Sequence, residues 1–303
     1  MTTTLTDKAA ADAAGPRGYA AVLGRIRNGT GRAGRWLALA IIAGYVLIAA
    51  LGPVLDPYDP VSSNLKDRLL APGARTAAGG TAWLGTDGLG RDMVAQLIAG
   101  ARTSMIVGLC AVLAAGVFGV VVGLASGYVR GAADAVIMRV IDVQLAFPPI
   151  LLAIVIAGLF GHTLTNVVFA LAVTRWIPFA RVARASALSL RERDWVLAAR
   201  VLGVPWWRII GRHVLPFVLG PAVAITTIEF SLIIVSEAGL SFLGVGLPPS
   251  TASWGQTIAS GQDHLNTAWW ISTLPGVLLA VLVVAIGIVG DRITDPAGNR
   301  SRP

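Results

Sequence analysis

The chain predicts an all-α fold, a polytopic membrane protein with six transmembrane helices, on three observations. Its 303 residues are 55% hydrophobic and only 13% charged, against about 25% charged in soluble domains. Uncharged apolar runs recur along it near the ~20 residues that a helix needs to cross a ~30 Å hydrocarbon core. Its arginines fall in blocks that alternate with those runs.

Taken in order, residues 1–35 read as a cytoplasmic tail. "TTTLTDKAAADAAGPRG" is polar and mobile, and "YAAVLGRIRNGTGRAGR" suits a short basic interfacial helix. The polar stretch is too long for a cleavable signal, and the apolar run that follows is long enough to span. Span one is Trp36–Leu55, and span two fills the uncharged window between Arg102 and Arg130. Span three begins after Asp134, with a kink expected at Pro148 and Pro149. The uncharged stretch Val143–Thr174 has 32 residues, too many for one crossing, so Gly161–Thr163 marks a turn and span four covers Leu164–Pro178. Span five is Leu215–Ser236 and span six Trp269–Gly290, leaving residues 291–303 as a second tail. The membrane domain is thus 36–290.

The basic residues orient these spans. Lys8, Arg17, Arg25, Arg27, Arg32 and Arg35 precede span one; Arg181, Arg184, Arg191, Arg193, Arg200, Arg208 and Arg212 lie between spans four and five; Arg292, Arg300 and Arg302 follow span six. From His213 through Asp291 there is no Lys or Arg. Positive charge stays in the cytoplasm, so both termini are expected inside. Most of the net charge of +8 is therefore topology, and nucleic-acid binding is not indicated.

Chemistry-bearing motifs are scarce. Cys110 is the only cysteine, and His162, His213 and His264 lack ligand-like spacing, so no metal site is expected. The only lysines, Lys8 and Lys66, sit outside any glycine-rich phosphate loop, and no catalytic pair stands out, so the chain reads as a non-enzyme. Arg139 and Asp142 have the spacing of a local ion pair on a helix. Glu229 lies mid-span in "AITTIEFSLII", where an ionisable group is costly and must face the bundle interior. It either lines a transport path or packs as a hydrogen-bonded residue, with Arg175 a candidate partner.

The stretch "VLAARVLGVPWWRIIGRHVLP", Val196–Pro216, interrupts this apolar chain with arginines and paired tryptophans. Asp194 suits an N-cap and Gly203 a C′ stop. Pro205 suits the first turn of a second short helix, on which Trp206, Ile209, Ile210 and Val214 share one face opposite Arg208 and Arg212. Two short cytoplasmic helices meeting at a glycine are expected.

At these residues the sequence resembles the permease subunits of binding-protein-dependent ABC importers, whose cytoplasmic signature is E-A-A-x-x-x-G-x9-I-x-L-P. Ala198, Ala199, Gly203, Leu215 and Pro216 match it, while Leu197 and His213 stand at its Glu and Ile positions; Glu192 or Asp194 are candidates to replace the missing carboxylate. "WLGTDGLGRDMVAQLIAGARTSMIVGL", "VIMRVIDVQLAFPPILLAI", "ARVARASALSLRERDWVLAARVLG" and "SEAGLSFLGVGLPPSTASWGQ" extend the resemblance over most of the chain, toward the second permease of oligopeptide, dipeptide and nickel importers.

The resemblance implies a type I ABC importer permease in a prokaryotic inner membrane, half of a translocation path for peptides, with nickel or another small solute as the alternative. It implies that the coupling segment 194–213, through Ala198, Ala199, Arg200, Leu202, Gly203, Trp206 and Trp207, docks on a separate cytoplasmic ATPase. ATP and Mg would be held by that partner and no cofactor by this chain. A homologous second permease would complete the path. An extracytoplasmic solute-binding protein would dock on the loops Asn64–Arg102 and Gly246–Thr267, with Trp254 at the membrane boundary. From a different class, an autonomous carrier or channel built on Glu229 is the rival.

Overall fold

A computed structural model describes residues 32–55 and 59–294. The expected interfacial helix and the second tail lie largely outside the described residues, as does the N-terminal polar stretch.

Helix α1, Arg32–Leu55, starts four residues before Trp36. Its Tyr45 hydroxyl donates to the carbonyl of Leu278 at 2.8 Å, tying the first span to the last. Residues 59–92 then form a compact cap in which Ala74–Arg75 (β1) and Thr81–Ala82 (β2) pair antiparallel. With an isolated bridge between Thr86 and Asp92, this is the β-structure among the described residues.

Helix α2, Met93–Val129, runs 37 residues without a proline, about 55 Å of rod at 1.5 Å per residue. Asp92 caps it, accepting from the backbone N–H of Val94 at 2.8 Å and Ala95 at 3.1 Å. Near its far end Gly119, Gly123 and Gly127 form a stripe in which an added Cβ would strike the backbone of Trp176, Ala180 and Arg184. Small residues four apart allow membrane helices to approach backbone to backbone. They seat α2 against a segment 57 residues away in sequence.

Arg130 and Gly131, both at positive φ (61° and 67°), reverse the chain into α3, Gly131–Leu145. The proline kink expected in span three is instead a 92° break between α3 and α4, Pro149–Phe160. Pro148 and Pro149 remove two backbone donors and hold the entry extended; Pro149 then starts the new helix. Gly161, at φ 88°, makes the expected turn. Thr163 caps α5, Leu164–Arg175, which bends by 43° into α6, Ile177–Leu190. At that break Gln144 donates to the carbonyl of Val173 at 2.7 Å and accepts from the Trp176 indole at 3.0 Å, so the interrupted ladder keeps its partners.

Two short helices follow, α7 (Asp194–Val201) and α8 (Trp206–Ile209), and a π-turn over Ile210–Val214 feeds α9, Leu215–Phe242. Helix α10, Trp254–Gly261, lies beside the cap, and α11, Trp270–Thr294, closes the bundle. Four helical stretches (α1, α2, Trp206–Phe242 and α11) are long and apolar enough to cross a membrane alone. The bent pairs α3–α4 and α5–α6 bring the total to as many as six.

One apolar core lies where α2 meets α6 and α9, around Val107, Phe179, Ala183 and Ile233. A second lies under the cap, around Tyr45, Met93, Trp254 and Ile271. Trp254, expected at the membrane boundary, is fully buried there. Its indole donates to the carbonyl of Leu97 at 3.0 Å and its ring meets Tyr45 edge-on at 5.8 Å, so it is a core residue.

Candidate coupling elbow and intramembrane carboxylates

The segment Asp194–Val214 folds as an elbow at the end of the bundle opposite the cap. Arg193 is the N-cap of α7 and Asp194 its first helical residue, so the helix starts one position earlier than expected; the carboxylate still lies at the positive end of the helix. The stop at Gly203 is as anticipated. Gly203, at φ 76°, donates to the carbonyl of Arg200 at 2.9 Å, and Val204 donates to that of Ala199 at 3.0 Å. These paired bonds are the Schellman closure, which needs a left-handed residue at C′. A side chain added at Gly203 would meet open space, so backbone conformation, not crowding, calls for glycine there.

Pro205 is the N-cap of α8 rather than a residue of its first turn. The face expected to unite Trp206 with Ile209, Ile210 and Val214 is divided. Ile209 and Val214 are buried and Trp206 is exposed. The π-turn inserts an extra residue into the spiral, which puts residues five apart, Ile209 and Val214, in register.

Val196, Ile209 and Val214 root the elbow in the bundle core. Its exposed apolar side chains include Leu197, Val201 (88% exposed), Leu202 (80%), Trp206 and Trp207, and they stand among exposed Arg193, Asp194, Arg208 and Arg212. Ala198 shares the exposed side and Ala199 packs inward. Arg208 lies over the Trp207 ring at 4.9 Å. Arg200 turns back into the bundle: its Nε donates to the Tyr128 hydroxyl at 3.3 Å, and its guanidinium sits 5.0 Å from that ring. Of the candidates to replace the signature carboxylate, Glu192 reaches Arg130 at 3.5 Å in an exposed pair.

Inside the bundle Arg175 and Glu229 do meet. Arg175 Nη1 lies 3.8 Å from Glu229 Oε2, and Nη2 donates to the Ser236 hydroxyl at 2.9 Å. The pairing is loose, and Arg175 Nε and Glu229 Oε2 lack hydrogen-bond partners. The pair joins the bend after α5 to the middle of α9. By contrast, no ion pair joins Arg139 to Asp142 among the described residues; both stay on an exposed face, where such a pair gains little. The acid of α3 that matters is Asp134, gripped by Arg184 of α6 through Nε at 2.6 Å and Nη2 at 2.7 Å, with the Ser126 hydroxyl donating as well.

Two carboxylates escape a reading of local pattern. Glu237, fully buried in α9, accepts from Ser104 at 3.2 Å and Ser241 at 2.8 Å. Asp87, fully buried in the cap, accepts at Oδ1 from the backbone of Leu89 and Arg91, each at 2.9 Å. At Oδ2 it accepts from Arg91 Nε at 2.7 Å and Gln96 Nε2 at 2.9 Å. The segment "GTDGLGRD" thereby acquires a physical meaning. Gly85 and Gly90 take positive φ at 82° and 75°, Asp87 collects the donors, Arg91 neutralises it, and Asp92 starts α2.

Residues 119–300 match the family described as the binding-protein-dependent transport system inner membrane component. The chain belongs to that family. The match takes in the elbow, Arg175, Glu229 and Glu237, and begins beyond the cap. Whole-chain relatives extend further. The permease is 38% identical over 251 residues to the di/tripeptide transport system permease protein DppC of Pseudomonas aeruginosa, covering 82% of each chain. It is 36% identical over 264 residues to the nickel transport system permease protein NikC of Escherichia coli K12, covering 86% of this chain and 93% of that one. Its fold is that of a subunit of the inward-facing MetNI methionine ABC transporter, with a TM-score of 0.56 and 21% identity over 67% of this chain and 97% of that one. The permease is thus an inner-membrane transport subunit with the fold of an ABC importer's membrane component.

Proposed function

We propose that this permease forms half of the translocation path of an ATP-driven importer of short peptides and that its elbow is the point where the driving force enters. In this reading residues 36–290 form the membrane domain, 194–213 couple, and the tails 1–35 and 291–303 are cytoplasmic. A homologous second permease completes the path. Cytoplasmic ATPase subunits bind the ATP and Mg and perform the hydrolysis, and an extracytoplasmic solute-binding protein delivers cargo to the cap.

The single observation that carries this is the shape of the elbow. Leu197, Val201, Leu202, Trp206 and Trp207 stand outward on a turn whose other side is buried among α2, α6 and α9. Apolar and aromatic side chains held on a rigid base are what a protein partner grips. A groove that closed on them would carry the flanking spans with it, because ATP energy enters as differential affinity for two states. Peptide cargo is favoured by relatives named for peptide and dipeptide transport. Nickel is the second reading, on the strength of the relative named for it. Among the described residues no three His, Cys, Asp or Glu are grouped to hold a metal ion.

Substituting Gly203→Trp forces a bulky residue into left-handed backbone at the docking surface. The variant should insert normally but fail to co-purify with the ATPase and fail to take up radiolabelled dipeptide; unimpaired uptake would refute docking at the elbow. Vesicles holding the permease alone should show no peptide flux, and flux there would support an autonomous carrier using Glu229 instead.

A further inference from the structure

Force delivered to the elbow has a path into α2 that does not run through its sequence neighbours. Tyr128, in the last turn of α2, is clamped by two arginines from the elbow side. Arg200 of α7 donates to its hydroxyl at 3.3 Å and covers its ring at 5.0 Å. Arg191, at the end of α6, donates to its backbone carbonyl at 2.7 Å and approaches the same ring at 5.9 Å. Tyr128 is only 8% exposed, and a cation over an aromatic face gains most when water is excluded.

The other end of α2 holds the cap. Gln96 donates to Asp87 at 2.9 Å and accepts from Thr257 of α10 at 3.1 Å, and the carbonyl of Leu97 takes the Trp254 indole. Between these ends the helix is unbroken. A rod of this kind transmits displacement because packed interiors resist compression.

We infer that Tyr128 is a positioning residue for coupling: through Arg191 and Arg200 it makes α2 a rod that links the ATPase-facing elbow to the cap where the solute-binding protein docks. This rests on the coupling role proposed for the elbow. The clamp makes the communication two-way, so that arrival of loaded binding protein at the cap is felt at the ATPase. The groups facing Tyr128 suit that task. Arg191 and Arg200 come from opposite sides of the Glu192–Asp194 corner, so the clamp fixes the start of α7 rather than a single contact.

The test uses the full complex of both permeases, the ATPases and the binding protein, reconstituted in vesicles, with Tyr128→Leu and Tyr128→Phe compared. Tyr128→Leu should keep its ATPase and its basal hydrolysis but lose stimulation by loaded binding protein about tenfold, the size set by one desolvated cation–π contact. Tyr128→Phe keeps the ring and should retain most of the stimulation. In a Cys110→Ser background, spin labels at Val129 and Arg193, both exposed and outside the docking face, should keep a constant separation on ATP binding in the parent and change it in Tyr128→Leu. Full stimulation of Tyr128→Leu would overturn the inference, and so would loss of assembly or of basal hydrolysis in both variants, which would mark a structural role. Because stimulation is read in complexes that retain the ATPase, failure here is distinct from failure of elbow docking, which Gly203→Trp reads by co-purification.

Discussion

The cap and the elbow occupy opposite ends of α2 and are built on opposite principles. In the cap, polar groups turn inward. Asp87 gathers four donors, Asp67 accepts from Ala77 and Asn64 at 2.6 Å each, and the Trp270 indole donates to the carbonyl of Thr86 at 3.1 Å. In the elbow, hydrogen bonds serve the root, and the outward face presents leucine, valine and tryptophan side chains among exposed arginines. A loop that satisfies itself holds its shape before any partner arrives. A turn that exposes leucine, valine and tryptophan on a buried root has the character of a surface that a protein partner grips. Under the proposed function, the difference suits a preformed receiving surface at the cap and a handle for the ATPase at the elbow.

Breaking the cap should have the largest effect on stability. Asp87→Ala strands Arg91, Gln96 and two backbone donors in a buried site, a loss of about 3–5 kcal/mol for a broken buried pair. It should appear as a lower unfolding temperature in detergent and faster proteolysis within residues 59–92. Next is the elbow, where Leu202→Glu adds charge to an exposed side chain. Stability should stay within about 0.5 kcal/mol, while ATPase affinity, read by titration against purified ATPase, should fall by about 2 kcal/mol or more as for a central interface anchor. If Leu202→Glu instead unfolded the permease, the elbow would be core and the contrast would vanish. The smallest effect belongs to Glu192→Gln. Its pair with Arg130 is long at 3.5 Å and solvent-exposed on both sides, so the change should be about 0–0.5 kcal/mol, and neither uptake nor unfolding temperature should move measurably.

The elbow was legible because its signals are local. Helix, stop glycine and second helix follow from capping chemistry and apolar spacing over a few residues, although the π-turn at Ile210–Val214 shifted the face that Trp206 was expected to share. The cap was poorly legible. "GTDGLGRD" was recognisable as a resemblance, but its physical role depends on Gln96, Leu70 and Trp270 meeting it from elsewhere in the chain. The glycine stripe on α2 was written openly as Gly119, Gly123 and Gly127 and could have been read as a close-packing seam. The proline pair at 148–149 announced a disturbance without its size, because whether a helix kinks or breaks by 92° depends on what packs in the corner.

Composition and charge order alone determined that the chain belongs in a bilayer and that a basic segment interrupts its apolar runs at 191–213. These follow from the cost of placing charge and unpaired backbone in hydrocarbon, which each segment meets by itself. Only the tertiary structure decided that Arg175 reaches Glu229, that Asp134 holds Arg184 rather than leaving the pairing to Arg139 and Asp142, and that Tyr128 binds the elbow to α2. Those partners lie 50 to 72 residues apart along the chain, and proximity across that distance is set by how helices pack.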